Sequence, residues 1–383
     1  MDRPNGDLLA VPMGWPRLLG ILAVMLLMAA PCLAGPLSEI VARTPQIDPN
    51  APAGYLGIPG GPQVNLLLAF AWACWVGWIF STVGAFGGVM AAVGHISVLG
   101  LGGYAASFGR GPLNKTVTDS IRVSNQWLAM LSGIITTLTY LRQRRLVLPL
   151  AVALGLGSVL GSYLSSSLSA GKISFSEYQG YFGVFVLLLG LYLFYETTPA
   201  GLARKKKSRE AAQAFEDAVK RLRCGESVDL KCQGVAILSL SLKQVRFTFF
   251  GVEFHFNPFL PVVGGFLISA IAAFLGVGGG FMLVPFLTSV TDLPMYLAAG
   301  TSALAVVISM VTSISTFLAA GTPLDWSMVG VEMVGVVAGS LIGPRTARFI
   351  PDRWLKRLFI LMALYVGVNY LLRGFFHINL FGA

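Results

Sequence analysis

Apolar residues run through this chain in long blocks, with polar and charged residues gathered between them. Residues 18–34 form a first apolar run behind Arg3 and Arg17. It reads as a signal peptide, with small residues near Ala34 for cleavage, or as a short N-terminal anchor helix. Residues 35–62 are rich in Pro and Gly and predict an irregular external loop. The apolar stretch 64–108 is broken by Gly84, Gly87, Gly88, Gly94, Gly100, Gly102 and Gly103. After a polar stretch at 109–119, runs at 120–141, 146–168 and 178–195 follow. Each is near the ~20 residues that a helix needs to cross a bilayer. A second glycine-broken stretch, 259–289, precedes runs at 295–319, 326–343 and 354–373.

The extended polar region is 197–257. Residues 210–222 have helical periodicity. Residues 235–256 alternate, with Leu238, Leu240 and Leu242 and then Val245, Phe247 and Phe249. That period of two predicts one or two short strands, with a hairpin around Gly251.

The two apolar halves are related. Residues 124–194 lie on residues 302–372 without a gap, at a constant offset of 178. Gly157 then meets Gly335, Gly161 meets Gly339, Ser162 meets Ser340, and Tyr192 meets Tyr370. Weak internal symmetry of this kind is how secondary transporters look in sequence.

Charge sets the expected orientation, because cytoplasmic loops carry excess Lys and Arg. Arg142, Arg144 and Arg145 form one cluster, the 204–223 run a second, and Arg345, Arg348, Arg353, Lys356 and Arg357 a third. All three fall on one side if 64–108 and 259–289 each enter and return as a hairpin. The linker 321–325 then lies outside with 35–62. Arg110, Lys115 and Arg122 face outward against the rule. The expected fold is an all-α polytopic membrane protein of two inverted repeats. Each repeat is a glycine-broken hairpin plus about three transmembrane helices. The parts are 1–34, the external loop 35–62, repeats at 63–196 and 258–374, a basic cytoplasmic insert at 197–257, and a tail at 375–383.

Composition narrows the function. The chain is 55% hydrophobic and 11% charged, where a soluble domain carries about 25% charged residues. The net charge of +10 sits in loops between apolar runs, which argues for membrane orientation and against nucleic acid. Cys224 and Cys232 stand seven residues apart, and Cys32 and Cys74 lie in or beside apolar runs. They make neither a disulfide framework nor a metal site. Three separated histidines, His95, His255 and His377, and the absence of HExxH, GxSxG or a phosphate loop leave no enzyme motif and imply no cofactor.

The sharpest local signal is Phe274-Leu-Gly-Val-Gly-Gly-Gly-Phe-Met-Leu-Val-Pro285, followed by Ala299-Gly-Thr-Ser302. Successive glycines in an apolar run cost about 1 kcal/mol each against Ala and free backbone groups that lipid cannot satisfy. Such a break suits a polar cavity whose N–H groups hold an anion. For Gly157, Gly161, Gly335 and Gly339 the plainer reading is close helix packing.

These motifs, with Gly335-Val-Val-Ala-Gly339-Ser-Leu-Ile-Gly343, resemble the TauE/SafE sulfite exporter family of membrane permeases. The resemblance covers roughly 64–374 outside the insert. It implies two repeats, a bacterial inner-membrane location, and transport of sulfur-containing anions such as sulfite or organosulfonates, with proton coupling as an open expectation. The first half departs from the pattern. It has Gly84-Ala-Phe-Gly87-Gly88 without the following Pro, about fourteen extra residues before Ser124, and Arg122-Val-Ser124-Asn125 where Gly-Thr-Ser is expected.

The candidate substrate residues are therefore Gly276, Gly278, Gly279, Gly280, Thr301 and Ser302 in one half and Gly87, Gly88, Arg122, Ser124 and Asn125 in the other. Inversion is expected to bring the two sets together near the midplane. Arg122 can offer a sulfonate its planar fork or be an interfacial arginine at a helix start. His95 and Glu332 are intramembrane ionisable residues, candidates for proton coupling or for structural hydrogen bonds. The expected partners are a small anion and the lipid bilayer. A homodimer, and a cytoplasmic partner or anionic lipid for 197–257, stay open. The alternatives are another anion (sulfate, thiosulfate or a carboxylate) or a membrane sensor acting through the insert.

Overall fold

The computed structural model describes residues 35–83, 87–142, 146–198, 235–241, 243–249, 252–290, 293, 295–347 and 352–378. The N-terminal apolar run and the basic 204–223 run lie outside them.

Helix α1 (Gly35–Ala42) and a 3-10 turn (Tyr55–Gly57) precede α2 (Leu66–Val83). Then come α3 (Gly87–Val93), a π-helical turn (Gly94–Val98) and α4 (Leu101–Ser107). The first half closes with α5 (Pro112–Arg142), α6 (Leu148–Ser169) and α7 (Phe175–Thr197). The second half holds α8 (Phe259–Leu275), α9 (Gly280–Val290), α10 (Met295–Ala319), α11 (Trp326–Ala347) and α12 (Asp352–Leu371).

Among the described residues, four helices are long and apolar enough to cross a membrane, namely α6, α7, α10 and α11. The count is five if α3 to α4, bent by 59°, is one span. The chain is thus a mostly helical multi-pass membrane protein. Helix α5 is more polar than these four, although its 31 residues extend ~46 Å at ~1.5 Å per residue. It starts at Pro112 rather than 120, because the polar stretch before the expected span finds partners within the protein. Asn114 donates to the Ala105 carbonyl at 2.7 Å and accepts the Phe175 amide at 2.8 Å.

Helices pack in pairs: α2 with α11, α6 with α8, α5 with α10, and α7 with α12. Glycines permit the approach. A Cβ on Gly157 would strike the Val262 carbonyl and the Phe266 amide, and one on Gly161 the Phe266 carbonyl and the Ala270 amide. In the other pair, Gly335 faces the Phe70 carbonyl and the Cys74 amide, and Gly339 the Cys74 carbonyl and the Trp78 amide. The contacts correspond residue for residue. The glycines are offset by 178 and their partners by 192, and the difference equals the extra residues read before Ser124. Helices α5 and α10 run antiparallel, with Gly133 against Val307 and Gly300 against Tyr140. So do α7 and α12, with Gly183 against Leu371 and Gly190 against Leu364. Serine pairs fill the α6 interface: Ser158 with Ser269 at 2.7 Å, Ser162 with Ser309 at 2.6 Å, and Ser166 with Ser313 at 2.7 Å.

The insert carries an antiparallel sheet of three strands, β1 (Ala236–Leu240), β2 (Val245–Phe249) and β3 (Val252–Phe256), in that order. The pattern predicted one or two. Phe249 pairs with Val252, and the turn expected around Gly251 lies outside the described residues. Val245, Phe247 and Phe249 are buried, whereas β1 is exposed along its length and its leucine alternation marks no buried face.

Because Gly157 and Gly335 sit against backbone, Gly157→Val and Gly335→Val should each destabilise the protein by about 1–3 kcal/mol. Gly330 has open space around its α-carbon, so Gly330→Val should leave stability nearly unchanged. Thermal unfolding in detergent micelles measures all three.

Candidate functional site

The second glycine break is a true interruption of the helix. Helix α8 ends at Leu275, and Gly276, Gly278 and Gly279 take φ of 71°, 81° and 61°. This left-handed region strains any residue with a Cβ. The break also lies tightly on α5. A Cβ on Gly276 would come 2.8 Å from the Arg122 carbonyl, and one on Gly278 2.8 Å from the Ala129 side chain. Gln126 of α5 donates to the Ala273 carbonyl at 3.1 Å, just ahead of the break. Gly279 turns back onto α8, and Gly280 opens α9 with its amide on the Gly278 carbonyl at 2.7 Å. The breaks of the two halves touch, since Gly88 at the start of α3 faces the Val277 backbone; its neighbour Gly87 packs on the Phe80 ring.

Beside this junction three sequence candidates meet. His95 Nδ1 lies 2.5 Å from Asn125 Oδ1, and His95 Nε2 lies 3.0 Å from Glu332 Oε2. All three residues are buried. They come from the π-helical turn, α5 and α11, so tertiary folding alone unites them. A π-turn adds a residue to the helical repeat and re-aims the side chains around it, and it occurs often at functional sites. The chemistry follows from the partners. Asn125 Oδ1 only accepts, so His95 Nδ1 carries a hydrogen. His95 Nε2 then shares one proton with the Glu332 carboxyl, either as neutral imidazole with carboxylic acid or as imidazolium with carboxylate.

Ser124 Oγ and Asn125 Nδ2 are buried without a hydrogen-bond partner. A buried donor left unpaired costs about 1–3 kcal/mol, so these atoms suit a bound polar guest. Asn125 also faces the Tyr178 hydroxyl, which donates to the Leu275 carbonyl at the glycine break at 3.1 Å. The cluster and the break therefore share one wall.

Arg122 is fully buried and both of its terminal nitrogens are engaged, while Nε has no hydrogen-bond partner among the described residues. Nη1 donates to Asp119 Oδ1 at 2.8 Å and Nη2 to Ser169 Oγ at 2.8 Å. The guanidinium lies over the rings of Phe317, at 4.6 Å, and Phe274, at 5.4 Å. Asp119 also accepts the Gly171 amide at 2.5 Å, fastening α5 to the turn after α6.

Thr301 and Ser302 are not brought to this cluster. Thr301 Oγ1 accepts the Val147 amide at 3.2 Å, Ser302 Oγ donates to the Ala299 carbonyl at 3.1 Å, and Gly300 faces Tyr140. Tyr140 is fifteen residues beyond Asn125 on α5, or ~22 Å along the axis. Antiparallel packing of α5 on α10 produces the separation, because equivalent ends point apart.

Sequence reading missed Asp119, Tyr178 and Tyr55. Asp119 stands three residues before Arg122 in a helix, a legible pairing signal. Tyr178 and Tyr55, an aromatic in an apolar run and one in a loop, carry no such signal. Among the described residues no His, Cys, Asp or Glu cluster could hold a metal.

Comparison with known proteins agrees with this architecture. The family model described as sulfite exporter TauE/SafE matches residues 69–370. A "Probable membrane transporter protein" of Methanocaldococcus jannaschii is 30% identical over 116 residues, 28% of this chain and 43% of that protein. A "Probable membrane transporter protein" of Xylella fastidiosa is 32% identical over 111 residues, 28% of this chain and 42% of that protein. The matched part of the chain thus spans less than half the length of either relative. No solved structure matches the chain. With the family model spanning most of the chain and both glycine breaks, the chain belongs to the sulfite exporter TauE/SafE family, a family of membrane transporters rather than enzymes.

Proposed function

We propose that this protein is a secondary transporter of small sulfur-containing anions, such as sulfite or organosulfonates, coupled to protons through His95 and Glu332. The observation that carries the reading is the buried His95–Asn125–Glu332 cluster, with unpaired donors on Ser124 and Asn125, beside the Gly276–Gly279 break. An anion in a low-dielectric site needs compensating charge. One added proton makes the His95–Glu332 pair cationic, so anion and proton enter together at little net charge. Loss of that proton releases both.

In this reading the Ser124 hydroxyl, the Asn125 amide and the backbone of the break hold the anion. Arg122 stays on Asp119 and shapes the wall. The chain is two inverted repeats, each a broken hairpin with three crossings. The recurring glycine contacts and the antiparallel α5–α10 and α7–α12 pairs support that arrangement. Inverted repeats suit alternating access. The Lys and Arg clusters put the insert on the cytoplasmic side of a bacterial inner membrane, and the 35–62 loop outside.

Three outcomes are expected. In proteoliposomes, a pH gradient should stimulate uptake of radiolabelled sulfite or a simple sulfonate. Glu332→Gln should abolish that stimulation while substrate binding, read by thermal-shift titration, persists. Absence of flux for either anion with folded protein would remove the sulfur substrate. Gly279→Leu, which forces a side chain into a left-handed position, should reduce uptake at least ~tenfold, a barrier change of about 1.4 kcal/mol. Arg122→Leu should unfold the protein more readily than Asp119→Leu/Arg122→Leu, because a lone buried charge costs about 3–5 kcal/mol when its partner goes. Equal stability of the two variants, with a raised KM for Arg122→Leu, would instead place Arg122 on the substrate.

A further inference from the structure

The loop before α2 is not a surface strap. Its backbone closes on itself: Gly54 N donates to the Ile58 carbonyl at 2.9 Å, Tyr55 N to the Pro62 carbonyl at 3.0 Å, and Gly57 N to the Gly54 carbonyl at 2.8 Å. Ala53 and Pro59 form a β-bridge across it. From this knot Tyr55 and Ile58 point into the helices, each 1% exposed. A loop residue buried to that degree is anchored by something specific. The Tyr55 hydroxyl lies 2.9 Å from Ser120 Oγ on α5. Burial, with the carboxylates of Asp325 and Glu332 nearby, pushes its pKa up and keeps it protonated.

The position of Tyr55 matters. Ser120 is one turn before Ser124 on α5, and ~7.5 Å before Asn125 along the axis. Tyr55 therefore sits against Ser124 and one turn from Asn125, on the face that carries 35–62. Leu56 beside it has φ of 60°, a left-handed conformation that costs a residue with a Cβ roughly 1–2 kcal/mol. Its amide is held by Asp325 Oδ2 at 3.1 Å. The same carboxylate starts α11, since Oδ1 accepts the Met328 amide at 3.1 Å and the Ser327 hydroxyl at 2.5 Å. Glu332 lies on that helix. One aspartate thus joins the loop to the helix that bears the proton-coupling carboxyl.

We infer that residues 53–61 are a plug. Tyr55 closes the mouth of the site on this face, and Asp325 ties withdrawal of the plug to movement of α11. Leu56 is strained in this turn, and Asp325 holds its amide against the helices, so loss of that hold favours release of the plug. Transport is the reason for it to open and rests on the function proposed above, but closure itself is testable without any flux.

The test uses the full chain with its native cysteines replaced, carrying either Ser124→Cys or, as the reporter of the loop's face, Asn50→Cys. Sealed vesicles of each orientation are treated with a membrane-impermeant thiol reagent. Ser124→Cys should label at least ~tenfold more slowly than Asn50→Cys from the loop's face, and Tyr55→Ala or Asp325→Ala should recover most of that factor, as local opening requires. Tyr55→Leu, which removes the ring and the hydroxyl but stays apolar, and Asp325→Asn, which keeps the cap, serve where the alanine variants fail to fold. Rapid labelling of Ser124→Cys with the loop intact, or unchanged labelling in every folded variant, overturns the plug. Failure of sulfite flux in the protein with Ser124 intact, with the expected labelling behaviour in Ser124→Cys, would count against the substrate alone.

Discussion

Helix α5 can exist in a membrane only because the protein encloses it. From Leu113 to Gly133 almost every residue is buried, including Asp119, Arg122, Asn125 and Gln126. In hydrocarbon each unmet polar group costs several kcal/mol. Most therefore find partners within the protein: Asp119 on Arg122 of the same helix and on the Gly171 amide, Asn125 on His95, Gln126 on the Ala273 carbonyl. The demand for enclosure explains why α5 touches both halves of the chain.

Enclosure needs close backbones, and glycine supplies them. At Gly157, Gly161, Gly335 and Gly339 one helix rests on the carbonyls and amides of another. At such distances van der Waals packing replaces the hydrophobic drive that lipid does not provide. The glycines at 276–279 act differently. Their left-handed backbone ends α8, turns the chain, and lays the turn on α5 at Arg122 and Ala129, either side of Asn125. Packing glycines build the shell; break glycines end a helix and turn the chain onto α5.

Three carboxyls show how environment divides one chemistry into separate roles. Asp119 is locked by a guanidinium and a backbone amide and is structural. Asp325 is a helix cap that also holds an otherwise strained loop residue. Glu332 is buried against the His95 imidazole at 3.0 Å, with no guanidinium or backbone amide among the described residues fixing it.

Much of this was legible in the chain. Apolar blocks of bilayer length determined a membrane protein, because the required length is set by the bilayer itself. The 178-residue offset determined which glycines are equivalent, since close packing demands glycine at the same place in each half. Successive glycines marked the break, because only glycine takes those φ values without strain. Tertiary structure alone decided which candidates meet. His95, Asn125 and Glu332 are up to 237 residues apart in sequence and become neighbours through the π-turn and the packing of α11 on α5. Thr301 and Ser302, equally prominent as a motif, end far along α5 because α10 runs antiparallel to it. The spending of Arg122 on Asp119 and Ser169, and the entry of Tyr55 into the bundle, were likewise settled by geometry. Sequence spacing reports neighbours along a helix, whereas the path of one helix past another sets contacts between distant segments.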